Sequence, residues 1–232
     1  MKLLLLSNST NPDDSYLNHA LPWISNFLST GVKTIAFIPY AGVTIKPGEY
    51  LSKVKAATEP MGYQILHVPE NETASSVIRK ADAIAVGGGN TFRLLKTMQQ
   101  WNLISTIREE VLNGKPYIGW SAGSNVAAPT IKTTNDMPVV QPDSFTAIGL
   151  VPFQINPHYL DAHPDHHMGE TREQRLLEFL EENQSVTVIG LREGSALSVN
   201  QSQVTLLGSK TARLFRYSNP PAEISAGASW TF

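Results

Sequence analysis

The 232-residue sequence contains no cysteine and carries almost no net charge. The absence of cysteine excludes a disulfide scaffold, a zinc site with cysteine ligands and a cysteine nucleophile, and it is compatible with a reducing compartment. The 18 Lys and Arg residues against 20 Asp and Glu give a formal net charge of -2, without basic runs. This balance argues against nucleic acid or an anionic membrane as the main partner.

Long apolar runs are also missing. The leucines that open the chain give way to polar residues at Ser7, whereas an export signal needs an apolar region of roughly 7–15 residues. No stretch approaches the ~20 apolar residues that span a bilayer. We therefore expect a cytoplasmic protein without a membrane partner. A hydrophobic fraction of 41% still provides a sizeable core, and the length predicts one domain over residues 1–232.

Short apolar runs alternate with stretches of helical periodicity in the first half of the chain. The runs are predicted to be strands at residues 2–6, 34–38, 63–68, 83–86 and 116–119. The amphipathic stretches are predicted to be helices near residues 18–29, 49–61, 73–80, 92–98 and 103–111. This alternation predicts a mainly parallel, twisted sheet with helices on both faces, which is a three-layer α/β fold.

The pattern changes after Ser121. Residues 145–155 are expected to be extended and apolar, and a polar, histidine-rich loop is expected to follow them up to Thr171. Thr171 and Gln174 form a capping box, which predicts that a helix begins there. Short strands joined by tight turns are then predicted to end the chain in antiparallel fashion, at residues 186–191, 197–200, 204–207 and 213–217.

The segment around Ser121 is the most informative for function. Gly119-x-Ser121-x-Gly123 stands where a predicted strand ends and a helix begins, the context of a nucleophile elbow. The glycines allow a sharp turn, and the helix N-terminus offers free amides to a developing oxyanion. The alternative is a Gly/Ser turn without chemistry.

A glycine-rich loop, Gly87-Gly88-Gly89-Asn90, follows another predicted strand. Phe92 stands where a dinucleotide fingerprint would have its third glycine, and no Walker lysine is present. The loop is either a structural turn or a source of exposed amides. Because the carboxyl ends of parallel strands form the sites of such folds, we expect this loop close to Ser121, as a second oxyanion donor.

A serine nucleophile needs a base, and the chain has 6 histidines. His19 in a predicted helix and His67 at a strand end are expected to be structural. The cluster at residues 163, 166 and 167 is interpreted as a solvated loop, because no carboxylate-bearing helix frames it as a metal site. His158 follows Asn156-Pro157, which stiffens the chain at a strand end. It is a candidate base, the alternative being a capped loop histidine.

Two carboxylates qualify as the acid that orients the imidazole. Glu193 follows a predicted strand and precedes Gly194, while Asp136 lies in a loop downstream of Ser121. The spacing alone does not choose between them.

Several motifs occurring together in order resemble the peptidase E family of alpha-aspartyl dipeptidases over essentially the whole chain. They are Leu4-Leu5-Leu6-Ser7-Asn8-Ser9, Gly87-Gly88-Gly89-Asn90-Thr91-Phe92, Gly119-Trp120-Ser121-Ala122-Gly123 with Asn125, Thr133-Thr134-Asn135-Asp136-Met137-Pro138, Asn156-Pro157-His158 and Gly169-Glu170-Thr171-Arg172-Glu173-Gln174-Arg175.

The resemblance implies a class I glutamine amidotransferase-like α/β fold and a serine exopeptidase that hydrolyses dipeptides with an N-terminal aspartate, without metal or cofactor. Ser121 would be the nucleophile and His158 the general base and then acid. Either Asp136 or Glu193 would be the third member, and the order nucleophile, histidine, glutamate favours Glu193. The implied partners are small dipeptides, and a homodimer is left open.

The resemblance also suggests how the substrate is bound. Arg172 would bind the aspartyl carboxylate, and the helix dipole does not explain a cation at a helix start. Asn90 would support that contact or bind the free amine, while the amides of Gly88 or Gly89 and of Ala122 would form the oxyanion hole. The alternatives are a cyanophycinase-like hydrolase, a non-catalytic amidotransferase-like module that binds an anion, and a broad esterase.

Overall fold

The computed structural model describes residues 1–28, 30–161 and 169–232. Its strands are β1 (Lys2–Leu6), β2 (Thr34–Ile38), β3 (Gln64–His67), β4 (Ala83–Val86), β5 (Tyr117–Trp120), β6 (Gln154–Tyr159), β7 (Thr187–Arg192), β8 (Ser195–Asn200), β9 (Gln203–Gly208), β10 (Ala212–Arg216), β11 (Ala222–Ile224) and β12 (Ser229–Thr231). Its α-helices are α1 (Leu21–Phe27), α2 (Pro47–Thr58), α3 (Ala74–Lys80), α4 (Thr91–Gln100), α5 (Leu103–Leu112), α6 (Ala122–Asn125) and α7 (Arg172–Glu182).

The larger sheet has eight strands in the order β12-β9-β8-β1-β5-β4-β2-β3. The neighbours from β1 to β3 in this order are parallel, whereas β8, β9 and β12 are antiparallel additions at the other side. The carboxyl ends of β1, β4 and β5 therefore meet at one edge of the sheet. The predicted site segments follow β4 and β5 at this edge.

The four leucines of β1 show why its run is continuous rather than alternating. Leu3 and Leu5 belong to one core cluster with α4 and α5, whereas Leu4 and Leu6 belong to a second cluster with α1 and α2. All four side chains are fully buried. A strand covered on both faces needs apolar residues at every position, so the predicted three-layer arrangement is confirmed.

A second sheet has the order β11-β10-β7-β6. Strands β6 and β7 are parallel in it, and β10 is antiparallel to β7. Helix α7 covers this sheet by packing Leu176 and Leu180 against Tyr159 and Phe215. The capping box at Thr171 is present, because its hydroxyl accepts a 3.1 Å hydrogen bond from the Gln174 amide. Within the described ranges, no helix is long and apolar enough to cross a membrane.

The structure corrects part of the second-half prediction. The extended run predicted for residues 145–155 is wrong for most of its length, since β6 begins only at Gln154 and extends to Tyr159. Ile148 and Leu150 lie in a loop instead. Their side chains are buried, and their amides donate hydrogen bonds to the carbonyls of Val126 and Ala127. The short β11 and β12 were not predicted. The histidines at 163, 166 and 167 lie outside the described residues.

Candidate active site

Ser121 lies in the sharp turn between β5 and α6, with φ 52° and ψ -113°. Its amide donates a 3.1 Å hydrogen bond to the Leu6 carbonyl of the neighbouring strand. The flanking glycines are required because a side chain at either position would clash with the backbone. A Cβ at Gly123 would lie 2.1 Å from the Val86 carbonyl oxygen, and one at Gly119 would lie 2.4 Å from the Gly123 carbonyl oxygen. The sequence pattern thus corresponds to a turn in which no larger residue fits at either position.

His158 approaches Ser121 from β6. Its Nε2 lies 2.9 Å from the Ser121 Oγ. The strand register shifts between Asn156 and Tyr159, and His158 has a φ of 52°. Its amide donates to the Ser7 hydroxyl at 2.9 Å, and this hydroxyl donates to the Leu191 carbonyl at 2.7 Å. Ser7, directly after β1, therefore fixes the backbone that carries the imidazole.

Glu193 contacts the other ring nitrogen of His158, with Oε1 2.6 Å from Nδ1. It lies in the tight turn between β7 and β8, where Gly194 adopts a φ of 80°. The Gly194 amide donates to the Asn8 side-chain oxygen at 2.8 Å. A proton on Nδ1 directed at the carboxylate leaves Nε2 free to accept the Ser121 hydroxyl proton. The arrangement can therefore support nucleophilic catalysis by serine.

Asp136 makes different contacts. Its Oδ2 accepts hydrogen bonds from the Thr91 amide at 2.7 Å, the Thr91 hydroxyl at 2.6 Å and the Thr134 hydroxyl at 3.1 Å. The carboxylate thus lies at the N-terminus of α4, where the helix dipole favours a negative charge. Of the two acids left open by the sequence, the one in contact with His158 is Glu193.

The glycine-rich loop after β4 lies against Ser121. A Cβ at Gly88 would be 3.0 Å from the Ser121 Cβ, and one at Gly89 would be 2.4 Å from the Ala41 carbonyl oxygen. The amides of Gly88, Gly89 and Ala122 have no acceptor in the part of the chain that the structure describes. Free amides beside the serine are the donors that an oxyanion requires.

Tyr50 of α2 connects this loop to β5, the strand that precedes Ser121. Its hydroxyl donates to the Gly88 carbonyl at 3.0 Å, accepts from the Trp120 indole at 3.0 Å and lies 3.2 Å from the Tyr16 hydroxyl. Burial raises the pKa of Tyr50, so the phenol stays protonated and can donate. The sequence carries no signal for this role of Tyr50, because a tyrosine in an amphipathic helix is typical of an ordinary core position.

Ser121 and His158 open into a cavity of about 530 Å³, a volume suited to a small ligand. Gly88, Gly89 and Asn90 line it as well, and α2 contributes Tyr50 and Lys53. Apolar parts of the wall come from Val43, Ile45 and Val139.

The side chain of Asn90 is engaged within the protein. Its oxygen accepts from the Arg93 amide at 3.0 Å and caps α4, while its nitrogen donates to the Met137 carbonyl at 2.7 Å. The second hydrogen of its nitrogen and the second lone pair of its oxygen remain available for a contact with substrate.

Arg172 is the first residue of α7 and is not among the described residues that line the cavity. Its Nε is buried without a hydrogen-bond partner in the described ranges. Burial lowers the pKa of Arg172, and the neighbouring Arg175 adds to this effect. No group of three or more His, Asp or Glu side chains with metal-binding geometry occurs in residues 1–28, 30–161 and 169–232.

Comparisons with known proteins agree with this architecture. The model of peptidase family S51 matches residues 3–207. Peptidase E of a Nostoc species is 50% identical over 222 residues, which are 96% of this chain and 92% of that protein. Peptidase E of Shewanella amazonensis is 47% identical over 228 residues, 98% of this chain and 97% of that protein.

Solved structures show the same fold. A peptidase from an acI-B1 actinobacterium superposes with a TM-score of 0.73 at 18% identity, covering 100% of this chain and 96% of that one. A proposed peptidase E from Listeria monocytogenes gives 0.68 at 24% identity, covering 90% and 98%. The glutamine amidotransferase-like α/β fold implied by the sequence is thus confirmed. The chain belongs to peptidase family S51, together with the peptidase E proteins that it matches over nearly its whole length.

Proposed function

We propose that this peptidase is a serine exopeptidase that hydrolyses dipeptides with an N-terminal aspartate. The observation that carries the proposal is the continuous contact from the Ser121 hydroxyl through His158 to Glu193, with distances of 2.9 and 2.6 Å. The size of the cavity and the similarity to peptidase E proteins support a small peptide as the substrate.

In the proposed mechanism, His158 removes the hydroxyl proton as the Ser121 Oγ attacks the aspartyl carbonyl. Glu193 stabilises the imidazolium that forms. The tetrahedral oxyanion accepts hydrogen bonds from the amides of Ala122 and of Gly88 or Gly89. His158 then protonates the departing amine, leaving an aspartyl ester on Ser121. Water deprotonated by His158 attacks this ester and releases aspartate.

Recognition of the aspartyl side chain is assigned to Arg172, whose guanidinium can bind a carboxylate through two hydrogen bonds. Its buried Nε without a partner in the described chain supports this assignment, because such a group gains most from a bound anion. We expect Arg172→Ala to lower kcat/KM for Asp-Leu by about 10- to 100-fold, to raise KM and to narrow the preference over Asn-Leu. An unchanged preference would assign the selection to another residue.

The substrate class is tested with purified protein and four substrates measured side by side: Asp-Leu, Glu-Leu, Asn-Leu and N-acetyl-Asp-Leu. We expect release of aspartate from Asp-Leu and much slower turnover of the other three. Hydrolysis of a beta-aspartyl-arginine polymer instead would favour a cyanophycinase-like enzyme. Rapid turnover of a neutral nitrophenyl ester without action on Asp-Leu would favour an esterase, and tight anion binding without hydrolysis a non-catalytic module.

Ser121→Ala tests the nucleophile. The variant should lose Asp-Leu hydrolysis while its melting temperature stays close to that of the wild type, since the change removes one oxygen at the cavity surface. Activity equal to the wild type would exclude the mechanism.

A further inference from the structure

The cavity beside Ser121 contains a lysine that has no role in the proposed mechanism. Lys53 lies in the middle of α2 and lines the cavity together with Ser121 and His158. Its ammonium nitrogen lies 4.2 Å from the centroid of the Tyr16 ring. No carboxylate of the described chain lies within ion-pair distance of Lys53.

A partner for Lys53 is available on its own helix but is not used. Glu49 lies four residues before Lys53, the spacing at which glutamate and lysine pair best on a helix. The Glu49 carboxylate instead lies 3.5 Å from the Lys46 amide at the start of α2. Because Lys53 is mid-helix, the dipole does not stabilise its charge either. The lysine is therefore directed to the cavity rather than to its helix.

Tyr16 holds the ammonium through a cation–π contact. Burial raises the pKa of Tyr16 far above its usual range, so the phenol stays neutral and provides no counter-charge for the exposed Lys53. The Tyr16 hydroxyl lies 3.2 Å from that of Tyr50, which binds the Gly88 carbonyl. Lys53 therefore contacts the same group of side chains that supports the glycine-rich loop.

The proposed substrate has a charge that this cation fits. An Asp-Xaa dipeptide carries two carboxylates and one ammonium, so it is an anion at neutral pH. Among the described residues that line the cavity, Lys53 is the single lysine or arginine, and none is an aspartate or glutamate. A carboxylate bound beside Ser121 would therefore find its counter-charge at Lys53.

We propose that Lys53 binds a carboxylate of the dipeptide and so helps to select anionic dipeptides. This inference rests on the proposed function. The carboxylate is either the aspartyl side chain, which Lys53 would then bind together with Arg172, or the C-terminus of the departing residue; both offer the same chemistry to an ammonium.

The test compares Lys53→Met with Lys55→Met. Lys55 lies on the same helix but lines a separate groove of about 880 Å³ beside β3, so its removal changes the net charge equally without touching the cavity. Each variant is assayed with Asp-Leu, with Asp-Leu amide, which lacks the C-terminal carboxylate, and with Asn-Leu, which lacks the side-chain carboxylate. Lys53→Arg tests whether a different cationic side chain at the same position retains activity.

We expect Lys53→Met to lower kcat/KM for Asp-Leu by about 10- to 100-fold, mainly through KM, while Lys55→Met stays near the wild type. The loss should largely disappear with whichever substrate lacks the bound carboxylate, and Lys53→Arg should recover part of it. Equal losses on all three substrates, or the same small effect from both lysine variants, would overturn the proposal.

A binding measurement separates this inference from the proposed function. Calorimetric titration of Asp-Leu into Ser121→Ala and into Ser121→Ala with Lys53→Met does not depend on turnover. Weaker binding by the double variant supports Lys53 as the carboxylate contact even if the wild-type protein does not hydrolyse Asp-Leu. Equal affinity, or no binding to Ser121→Ala, overturns it.

Discussion

Ser121 has a backbone conformation that non-glycine residues rarely adopt, with φ 52° and ψ -113°. Such conformations cost on the order of 1–3 kcal/mol and persist where the surroundings hold them. The surroundings here include Ser124, whose buried hydroxyl donates to the carbonyls of Leu6 and Gly119 at 2.7 and 2.9 Å. These bonds join β1, β5 and α6 around the turn and aim the Ser121 side chain at His158.

Glu193 and Asp136 are predicted to act in different ways, although both are acids near the site. Glu193→Gln keeps the shape but removes the charge facing His158, so we expect kcat for Asp-Leu to fall by about 10²–10⁴ with little change in melting temperature. Asp136→Asn weakens the anchor of α4, so we expect its melting temperature to fall by about 2–4 °C, the shift that ~1 kcal/mol produces. Kinetics and thermal unfolding of both variants measure this contrast, and the reverse pattern would contradict it.

The sequence identifies residues at strand ends better than residues on helices. Ser121, His158 and Glu193 could be proposed because each follows an apolar run and has a glycine or proline nearby. Tyr50 and Lys53 could not, because their contribution depends on how α2 packs over the loop after β4. That packing is a contact between segments distant in sequence, which periodicity does not describe.

The loop at residues 133–138 links the two sides of the site. Asp136 binds Thr91 at the start of α4, while the Asn135 side chain donates to the Pro157 carbonyl at 2.6 Å, directly before His158. The glycine-rich loop that precedes α4 and the strand that carries His158 are thus held to the same segment. The position of His158 relative to the amides of Gly88 and Gly89 therefore depends on this loop.

Helix α2 is predicted to act on catalysis through the Tyr50 hydroxyl. Tyr50→Phe leaves the Gly88 carbonyl and the Trp120 indole without this partner, so the peptide between Gly88 and Gly89 loses its fixed orientation. We expect kcat for Asp-Leu to fall about tenfold with little change in KM, less than the ~10²–10³ that loss of a whole oxyanion donor costs.

The control for this prediction is Tyr63→Phe. Its hydroxyl makes no hydrogen bond within the described residues, and the side chain lines the groove beside β3. Tyr63→Phe should leave kcat unchanged. A Tyr50→Phe effect confined to melting temperature, with normal kcat, would show that the hydroxyl only stabilises the fold.

Some elements could be predicted because each shows its own local signal. The run of leucines predicted β1 at its observed bounds, and the capping box predicted where α7 begins. The apolar segment at 145–155 reads as a strand in the sequence because burial in a loop produces the same composition as burial in a strand. Strands β11 and β12 contain three residues each, too few for alternation to be visible.

At the scale of the whole molecule, ionic contacts join the second sheet to the site. Arg192, the residue before Glu193, pairs with Asp161 at 2.5 Å and with Glu223 at 2.9 Å. Glu223 also pairs with Arg213, which contacts Glu173 at 3.0 Å in the first turn of α7. Hydrogen bonds from Arg192 are the main reason that the pKa of Glu223 falls to about 2.

Two histidines outside the site are harder to protonate in the folded protein than a free histidine. Burial lowers the pKa of His19 and of His67 below the usual value, despite nearby Asp14 and Glu70. The buried ring nitrogens, both in His19 and Nε2 in His67, have no hydrogen-bond partner in the described chain. Protonation is therefore easier in the unfolded chain than in the folded one.

The two histidines and the carboxylates should affect the stability of the fold in different pH ranges. A base with a lowered folded-state pKa binds fewer protons when folded, so stability falls as the pH drops below about 6.5. Stability from Glu223 is present above its usual pKa and is lost only as the pH falls towards 2. We expect the melting temperature to fall between pH 7.5 and 5.5, and this fall to be smaller in the double variant His19→Leu with His67→Leu. Glu223→Gln serves as the control: it should lower the melting temperature by a similar amount at pH 7.5 and 5.5 and change the slope with pH only below about pH 4.5. An undiminished fall in the double variant would show that other groups carry the dependence.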